Sequence, residues 1–502
     1  MPSAGVIMSR LILGPFNRVE GDLEVQLEVA DDRVIEARVN APMFRGFERM
    51  LIGRDPVDAL TIAPRICGIC SVSQSVAAAK ALADASGVVM PPNGQHAINL
   101  MLACENLADH LTHFYMFFMP DFTRKVYAGR SWFGEAQRRF AALVGDQTGA
   151  GLHNRTALAA RARWLELMGA LGGKWPHTGA VLPGGTSRAI ESTERVRLLS
   201  RLREMRAFLE QTLFGTPLEE VAALDSLSAL QRWQSRAPGS DMALFIDIAA
   251  DADLDTLGSG PGRYLSYGAY AQVAGGHVLG QGVWDAALQQ RLALDATQIS
   301  EDMRHAWLSE GEGGQPLHPM AGLTQVQPDK AGAYTWNKAP RLAGQVVETG
   351  AIARQLVDGQ PLIRALALVH GGTVYTRVLA RLMEIARILP LMEQWLMALQ
   401  AREPFHQLQA MPDQAQGIGL SEAARGALGH WLKIANGRIV HYQIVAPTSW
   451  NFSPRDAAGT PGALEAALVG ALIDSSVGER GQSVAVQHIV RSFDPCMVCT
   501  VH

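Results

Sequence analysis

The sequence predicts a mainly α protein with a small N-terminal antiparallel β region, folded as one large domain over residues 1–502. Three observations carry that expectation. Helix-favouring segments with apolar periodicity fill the chain from about residue 70 to about residue 400. Period-two alternation is concentrated in about residues 10–40. Two Cys-x-x-Cys pairs, Cys67/Cys70 and Cys496/Cys499, stand near opposite ends with no linker-like stretch between them, so any joint role requires the two ends to meet in one core.

In chain order, Leu23 to Val29 alternates strictly and Asp31-Asp32 supplies a turn before Val34-Ile35 and Ala37 to Val39, which predicts a hairpin or meander. Pro64 and Gly68 punctuate the first cysteine pair, and the alanine-rich run Ser75 to Ala85 then predicts a helix ended by Gly87 and Pro91-Pro92. The first pair therefore sits on a turn that leads into a helix. Further helices are predicted over Gln95–Phe118, Gly134–Gly145, Arg155–Met168, Thr193–Phe214, Asp285–His305, Gly344–Asp358 and Pro361–Gln400. The glycine-rich stretch Ala243–Gly282 is expected to be an irregular, β-containing excursion. A C-terminal segment from about residue 420 to 502 is expected to carry a Gly- and Pro-rich passage (Arg438–Pro461), a helix over Ala463–Asp474 and an extended tail.

Composition excludes several classes. At 502 residues with 48% hydrophobic content, the chain can bury a large core and is neither disordered nor a small stapled scaffold. Lys plus Arg number 44 against 48 Asp plus Glu, which offers no basic footprint for nucleic acid. Five cysteines, an odd number at low density, do not read as a disulfide framework. The most apolar stretch, Leu362–Leu399, is interrupted by Arg364, His370, Arg377, Arg381, Glu384 and Arg387, so no membrane insertion is expected. Met1 to Gly14 shows no signal peptide, and a soluble, cytoplasmic protein is the expectation.

Four thiolates in two Cys-x-x-Cys pairs can hold zinc, an iron–sulfur cluster or another thiophilic metal such as nickel, or can stand as buried free thiols. Spacing alone does not choose. A zinc ribbon brings its pairs within about 15–20 residues, far closer than these. Cys104 has no partner at ligand spacing and reads as a small buried apolar residue.

The segments around both pairs, Arg65-Ile66-Cys67-Gly68-Ile69-Cys70 and Asp494-Pro495-Cys496-Met497-Val498-Cys499-Thr500-Val501-His502, resemble the signature motifs of the nickel–iron hydrogenase large subunit. Further matches occur in order along nearly the whole chain: Asn17 to Gly21, Arg45 to Glu48, Gly173 to His177 with Gly184-Gly185, Glu422 to Gly426 with His430, and Tyr442 to Asn451 with Ser453 to Asp456. The resemblance implies that family's large-subunit fold and heterolytic cleavage of H2. It implies a nickel–iron centre, with cyanide and carbon monoxide on the iron, in which Cys67 and Cys496 are terminal nickel ligands and Cys70 and Cys499 bridge the metals. It assigns proton transfer to Cys496 and Glu20, and places Arg425 over the open metal position with Asp109 and Asp494 around it. Pro447 and Thr448 would line the diatomic ligands. Glu48, His502 and the carbonyl of Ile444 would hold a magnesium-like ion, a hard cation suited to oxygen donors. With four cysteines committed, electron transfer requires iron–sulfur clusters in a partner small subunit.

The chain departs from the family at Asp22 and Gln74, where histidines are common, and at Ala424, where proline is usual. Ending at His502 without the extension that most catalytic members carry, and placing Ile69 and Phe117 where smaller Val and Leu are usual, it most resembles the H2-sensing regulatory branch. The expectation is thus a low-turnover H2 sensor that controls hydrogenase genes through a histidine kinase. The alternative is an energy-conserving uptake hydrogenase.

Overall fold

A computed structural model describes residues 8–142, 149–473 and 483–502. The chain opens on strands β1 (Met8–Leu13), β2 (Glu24–Ala30) and β3 (Arg33–Asn40), which form an antiparallel sheet in that order. In β2 the alternation seen in the sequence buries Val25, Leu27 and Val29. The edge of β3 is met by the far end of the chain: the Val34 N–H donates to the Ala471 carbonyl at 3.0 Å and the Ile473 N–H to Asp32 at 2.9 Å.

Helix α1 (Ser71–Ser86) starts directly after Cys70 and stops at Gly87, whose φ of 73° suits a left-handed cap. Helix α2 (Pro92–Thr112) begins with proline in its first turn, where a missing N–H costs nothing, and runs on as a π-helical turn to Phe118. Helix α3 (Ser192–Phe208) follows two shorter helices, Leu152–Trp164 and Glu166–Gly172. Helices α5 (Ala351–Asp358), α6 (Pro361–His370) and α7 (Val374–Ala398) form the middle of the molecule, α7 being buried over most of its length. Between α3 and α5 stand α4 (Asp241–Asp251) and the antiparallel sheet β4 (Arg263–Ala271), β5 (His277–Asp285) and β6 (Gln290–Leu292).

A third sheet, β7 (Gln414–Ala423), β8 (Gly426–Ala435) and β9 (Arg438–Val445), lies under α1. The approach is close enough that a Cβ at Gly417 would run into the Ala81 carbonyl oxygen, and one at Gly419 into that of Ala77. These two glycines set the height of α1, and with it Cys70, above the sheet.

The mainly helical, single-domain class holds, and several element assignments need correction. Asp285–His305 is not a helix: β5 ends there, β6 pairs with β5, and Ile299–Asp302 pairs with Ala339–Leu342. Its Ala, Leu and Gln favour helix locally, and pairing with a waiting strand overrides that preference. Within Ala243–Gly282 the apolar run is helical α4, because Ser240 caps it by accepting from the Ala243 N–H at 3.2 Å. Pro361–Gln400 divides into α6 and α7 at Gly371. The Arg438–Pro461 passage begins as strand β9, and the tail contains helix α8 (Val484–Phe493) and a turn of helix at Met497–Thr500. The helix predicted to Asp474 ends at Leu468, and residue 474, like residues 143–145 of the Gly134–Gly145 prediction, lies outside the described residues. Among the described residues no helix is long and apolar enough to cross a membrane.

Gly419→Ala is expected to push α1 off the sheet, lowering stability by about 1–3 kcal/mol or more. A thermal midpoint equal to that of the parent would contradict the close approach.

Candidate metal centre

Four sulfurs from the two ends of the chain converge in the core. Cys67 follows a short 3-10 turn in extended conformation, and Cys70 occupies the position just before α1. Cys496 is brought in by Asp494, whose left-handed backbone (φ 57°) ends α8 and turns the chain inward. Cys499 lies on the final helical turn. A parallel bridge between Glu20 and Cys496, with the Met497 N–H donating to the Glu20 carbonyl at 2.7 Å, ties this tail to the N-terminal segment.

The sulfurs pair across the two motifs. Cys67 Sγ lies 3.5 Å from Cys496 Sγ, Cys70 Sγ 3.0 Å from Cys499 Sγ, and Cys496 Sγ 2.9 Å from Cys499 Sγ. These separations far exceed a disulfide bond of about 2.05 Å, and all four thiols are free and buried. All four sulfurs lie within 4.8 Å of one another. The donor set, four soft sulfurs at one point of a dry core, fits a thiophilic metal centre. Two of the three close contacts join one motif to the other, and the third, Cys496 to Cys499, lies within the C-terminal motif. Hydrogen bonds from the neighbouring sulfurs favour the Cys67 thiolate, with Arg425 adding to the effect. The same contacts and burial push the Cys70 thiol up, and burial does so for Cys499. Several thiolates so close together need a nearby cation to be stable.

Arg425 is the buried cation beside them. Its Nη1 donates to Asp109 Oδ2 at 2.7 Å, its Nε to the Asp494 carbonyl at 2.9 Å and its Nη2 to Asp494 Oδ1 at 3.2 Å. Burial pushes the Asp109 carboxyl up to about 7 despite the arginine. Asp494 opposes the same burial with help from Arg425, His113 and Arg381, and its carboxyl is held low. Arg425 is thus shared by both carboxylates, the shorter contact being to Asp109. Glu20 is half-buried, and burial followed by the charge of Cys67 raises its carboxyl. Thr448 accepts the Cys496 N–H through its hydroxyl at 3.1 Å, and Pro447 opens the one-turn helix that presents it.

Glu105 and Trp175 hold the first cysteine pair from behind. Glu105 accepts the N–H groups of Val72 and Ser73, both at 2.9 Å, and the Trp175 indole N–H at 3.0 Å. His177 Nδ1 faces the Pro64 carbonyl at 3.0 Å, and the His177 N–H donates to Ser71 Oγ at 3.1 Å. The turn between Cys67 and Cys70 is therefore gripped on both flanks.

Glu48 and His502 meet in a separate pocket. His502 Nδ1 lies 2.7 Å from the Cys499 carbonyl and donates to it, leaving Nε2 to face Glu48 Oε1 at 3.2 Å. A ring nitrogen and a carboxylate at that distance require a proton or a cation between them. Burial opposes ionisation of Glu48, but Lys338, His502 and Thr324 overcome it and hold the carboxyl well below the usual range. Lys338 Nζ lies 3.1 Å from Glu48, 3.4 Å from Glu301 and 2.6 Å from Gln443 Oε1. Ile444 meets Glu48 through its N–H, at 2.8 Å. Carboxylates and an imidazole suit a divalent cation, while Lys338 already supplies one positive charge.

A family model described as nickel-dependent hydrogenase matches residues 45–131 and 130–502. The chain belongs to the nickel-dependent hydrogenase large-subunit family. The periplasmic [NiFeSe] hydrogenase large subunit of Desulfomicrobium baculatum is 29% identical, the match covering 98% of this chain and 95% of that protein. The uptake hydrogenase large subunit of Rhodobacter capsulatus is 26% identical with the same coverage. The solved Ni-Fe-Se hydrogenase from D. vulgaris Hildenborough in the reduced state superposes with a TM-score of 0.82 at 29% identity, covering 99% of this chain and 100% of that one.

At the hydrogenase departures, Gln74 Oε1 bonds His430 Nε2 at 2.9 Å, while Asp22 is exposed. Cys104 packs in the core beside Trp164, as the sequence suggests. Sequence reasoning missed Glu105, Arg354, Lys338 and His110. One of their partners did leave a signal: Glu384, a charged residue inside an otherwise apolar helix, pairs with Arg354 and faces His110.

Replacing Cys499 by serine offers a harder oxygen donor at the shared contact. The purified complex is expected to carry nickel and iron well below one of each per chain by elemental analysis; full metal content would count against this residue as a ligand.

Proposed function

We propose that this chain is the active-site subunit of an uptake-type hydrogenase, converting H2 into two protons and two electrons. The observation that carries the reading is the buried meeting of four cysteine sulfurs with Arg425 and Glu20 at their sides. Cys67, Cys70, Cys496 and Cys499 would together hold a nickel–iron centre. That centre, when bound, supplies the Lewis acidity that polarises H2 and the capacity to take up its electrons.

The chain's own groups handle position and protons. Arg425, fixed by Asp109 and Asp494, keeps a planar cation beside the sulfurs that a lysine would not reproduce. Pro447 and Thr448 line the side from which Cys496 is held. Cys496 Sγ takes the first proton, and Glu20, joined to Cys496 through the backbone bridge, receives it and passes it outward. Electrons leave through iron–sulfur clusters of a small subunit, a partner supported by relatives named as large subunits. A magnesium-like ion bound by Glu48, His502 and Ile444 would anchor the C-terminal turn. Action in the cytoplasm is proposed on the sequence alone.

A second reading, an H2 sensor signalling through a histidine kinase, is favoured by one observation. Ile69, larger than the usual valine, packs against the apolar cluster that contains the four metal-facing cysteines, where it would narrow access for O2 more than for H2. The relatives named as uptake and periplasmic enzymes support the first reading.

Glu20→Gln keeps the shape of the side chain and removes the proton carrier. Metals should stay bound while H/D exchange and H2 oxidation fall by roughly 100- to 10,000-fold; undiminished exchange would refute the proton route. Deleting the gene separates the two readings: loss of H2-dependent growth with normal hydrogenase gene expression supports uptake, and loss of induction supports sensing.

A further inference from the structure

Arg425 stands on a tight hairpin loop. Strands β7 and β8 close with Ala423 opposite Gly426, leaving Ala424 and Arg425 as a two-residue loop. Two-residue loops match strand twist when their residues adopt positive φ, and neither Ala424 nor Arg425 does so; Gly426 takes it instead, at 128°. An outside clamp is present in Arg354 of α5. Its guanidinium is wholly buried, and its five N–H groups, the full number an arginine has, meet five acceptors. Nη1 donates to the Ala423 carbonyl at 2.8 Å and Nη2 to the Ala424 carbonyl at 3.0 Å, the two residues just before Arg425. Nη1 also reaches Glu422 Oε2 at 2.8 Å, while Nε and Nη2 grip Glu384 of α7, each at 2.9 Å. Glu384 in turn faces His110 Nε2 at 3.2 Å, and His110 is the neighbour of Asp109 on α2. One frame therefore holds both the loop that carries Arg425 and the helix that carries its partner.

We propose that Arg354 is a positioning residue for Arg425, its fork on the Ala423 and Ala424 carbonyls setting where the Arg425 guanidinium stands over the four sulfurs. The inference rests on the reading of Arg425 under the proposed function. A lysine at position 354 would keep the charge and lose the fork.

The test is a double-substitution cycle on the matured complex with its small subunit: Arg354→Lys, Arg425→Lys and both together. Arg341→Lys serves as control, since Arg341 is an equally buried arginine that touches Asp456 and the Pro454 carbonyl but not the loop. H2 turnover is measured beside the infrared bands of the iron's diatomic ligands. Arg354→Lys should shift those bands and lower turnover by roughly 10- to 100-fold, the control should move neither, and the double variant should be no slower than Arg425→Lys alone. Unshifted bands with parental turnover, or losses that multiply in the double variant, overturn the proposal. Parental turnover in Arg425→Lys overturns instead the reading beneath it. Should Arg354→Lys fail to assemble, Glu384→Gln, which loosens the same fork, goes through the same cycle and decides in its place.

Discussion

Everything around the centre follows from having to hold four thiols, drawn from opposite ends of the chain, within 4.8 Å of each other in a dry core. Sulfurs so placed repel once ionised, and the backbone on each side has no reason of its own to stay there. The fold answers with backbone pairing where the ends meet: the Glu20–Cys496 bridge, the Val34–Ala471 contact, and the Arg45 N–H on the Val501 carbonyl at 3.2 Å. These bonds are weak individually. Their value lies in joining segments more than four hundred residues apart.

The second consequence is a shell of buried charge. Arg354, Glu384, Glu422, Arg425, Asp109 and Asp494 are all buried, and burying so many ions costs more than their mutual attraction returns unless geometry is close to ideal. Well-packed apolar residues of the same volume are often as stable as such buried pairs or more so. What they would not give is a cation fixed beside thiolates. Burial raises Glu422 to about 7, whereas Glu384 overcomes the same burial through Arg354 and His110 and falls to about 2. The same burial thus leaves the two carboxyls on opposite sides of their usual range, according to the partners beside each.

How much of this can be read from residues alone depends on whether the signal is local. Cysteine spacing, the strand alternation of β2 and the proline- and glycine-marked limits of α1 and α2 are local, and the structure matches them. Asp285–His305 and the α4 run mislead because pairing with β5 and a single serine cap, respectively, decide them. Arg354 could not have been read as a clamp at all: its role exists only once the β7–β8 loop, α5 and α7 meet. The same holds for Lys338, whose sequence neighbours say nothing of Glu48 and Glu301.

The C-terminal pocket extends the same logic outward. His502 donates to the carbonyl of Cys499 through one ring nitrogen and faces Glu48 with the other, so one imidazole spans the cysteine turn and the charged pocket. Glu48 also accepts the N–H of Ile444, whose strand leads within a few residues to Pro447 and Thr448, and Thr448 in turn accepts the Cys496 N–H. The path closes on itself: Cys499, His502, Glu48, Ile444, Thr448, Cys496. These contacts tie the Glu48–His502 pair to both C-terminal cysteines, to one through a carbonyl and to the other through an amide. The pocket acts as a brace on the centre, and Lys338, His502 and Thr324 keep its carboxylate ionised against the burial that opposes it.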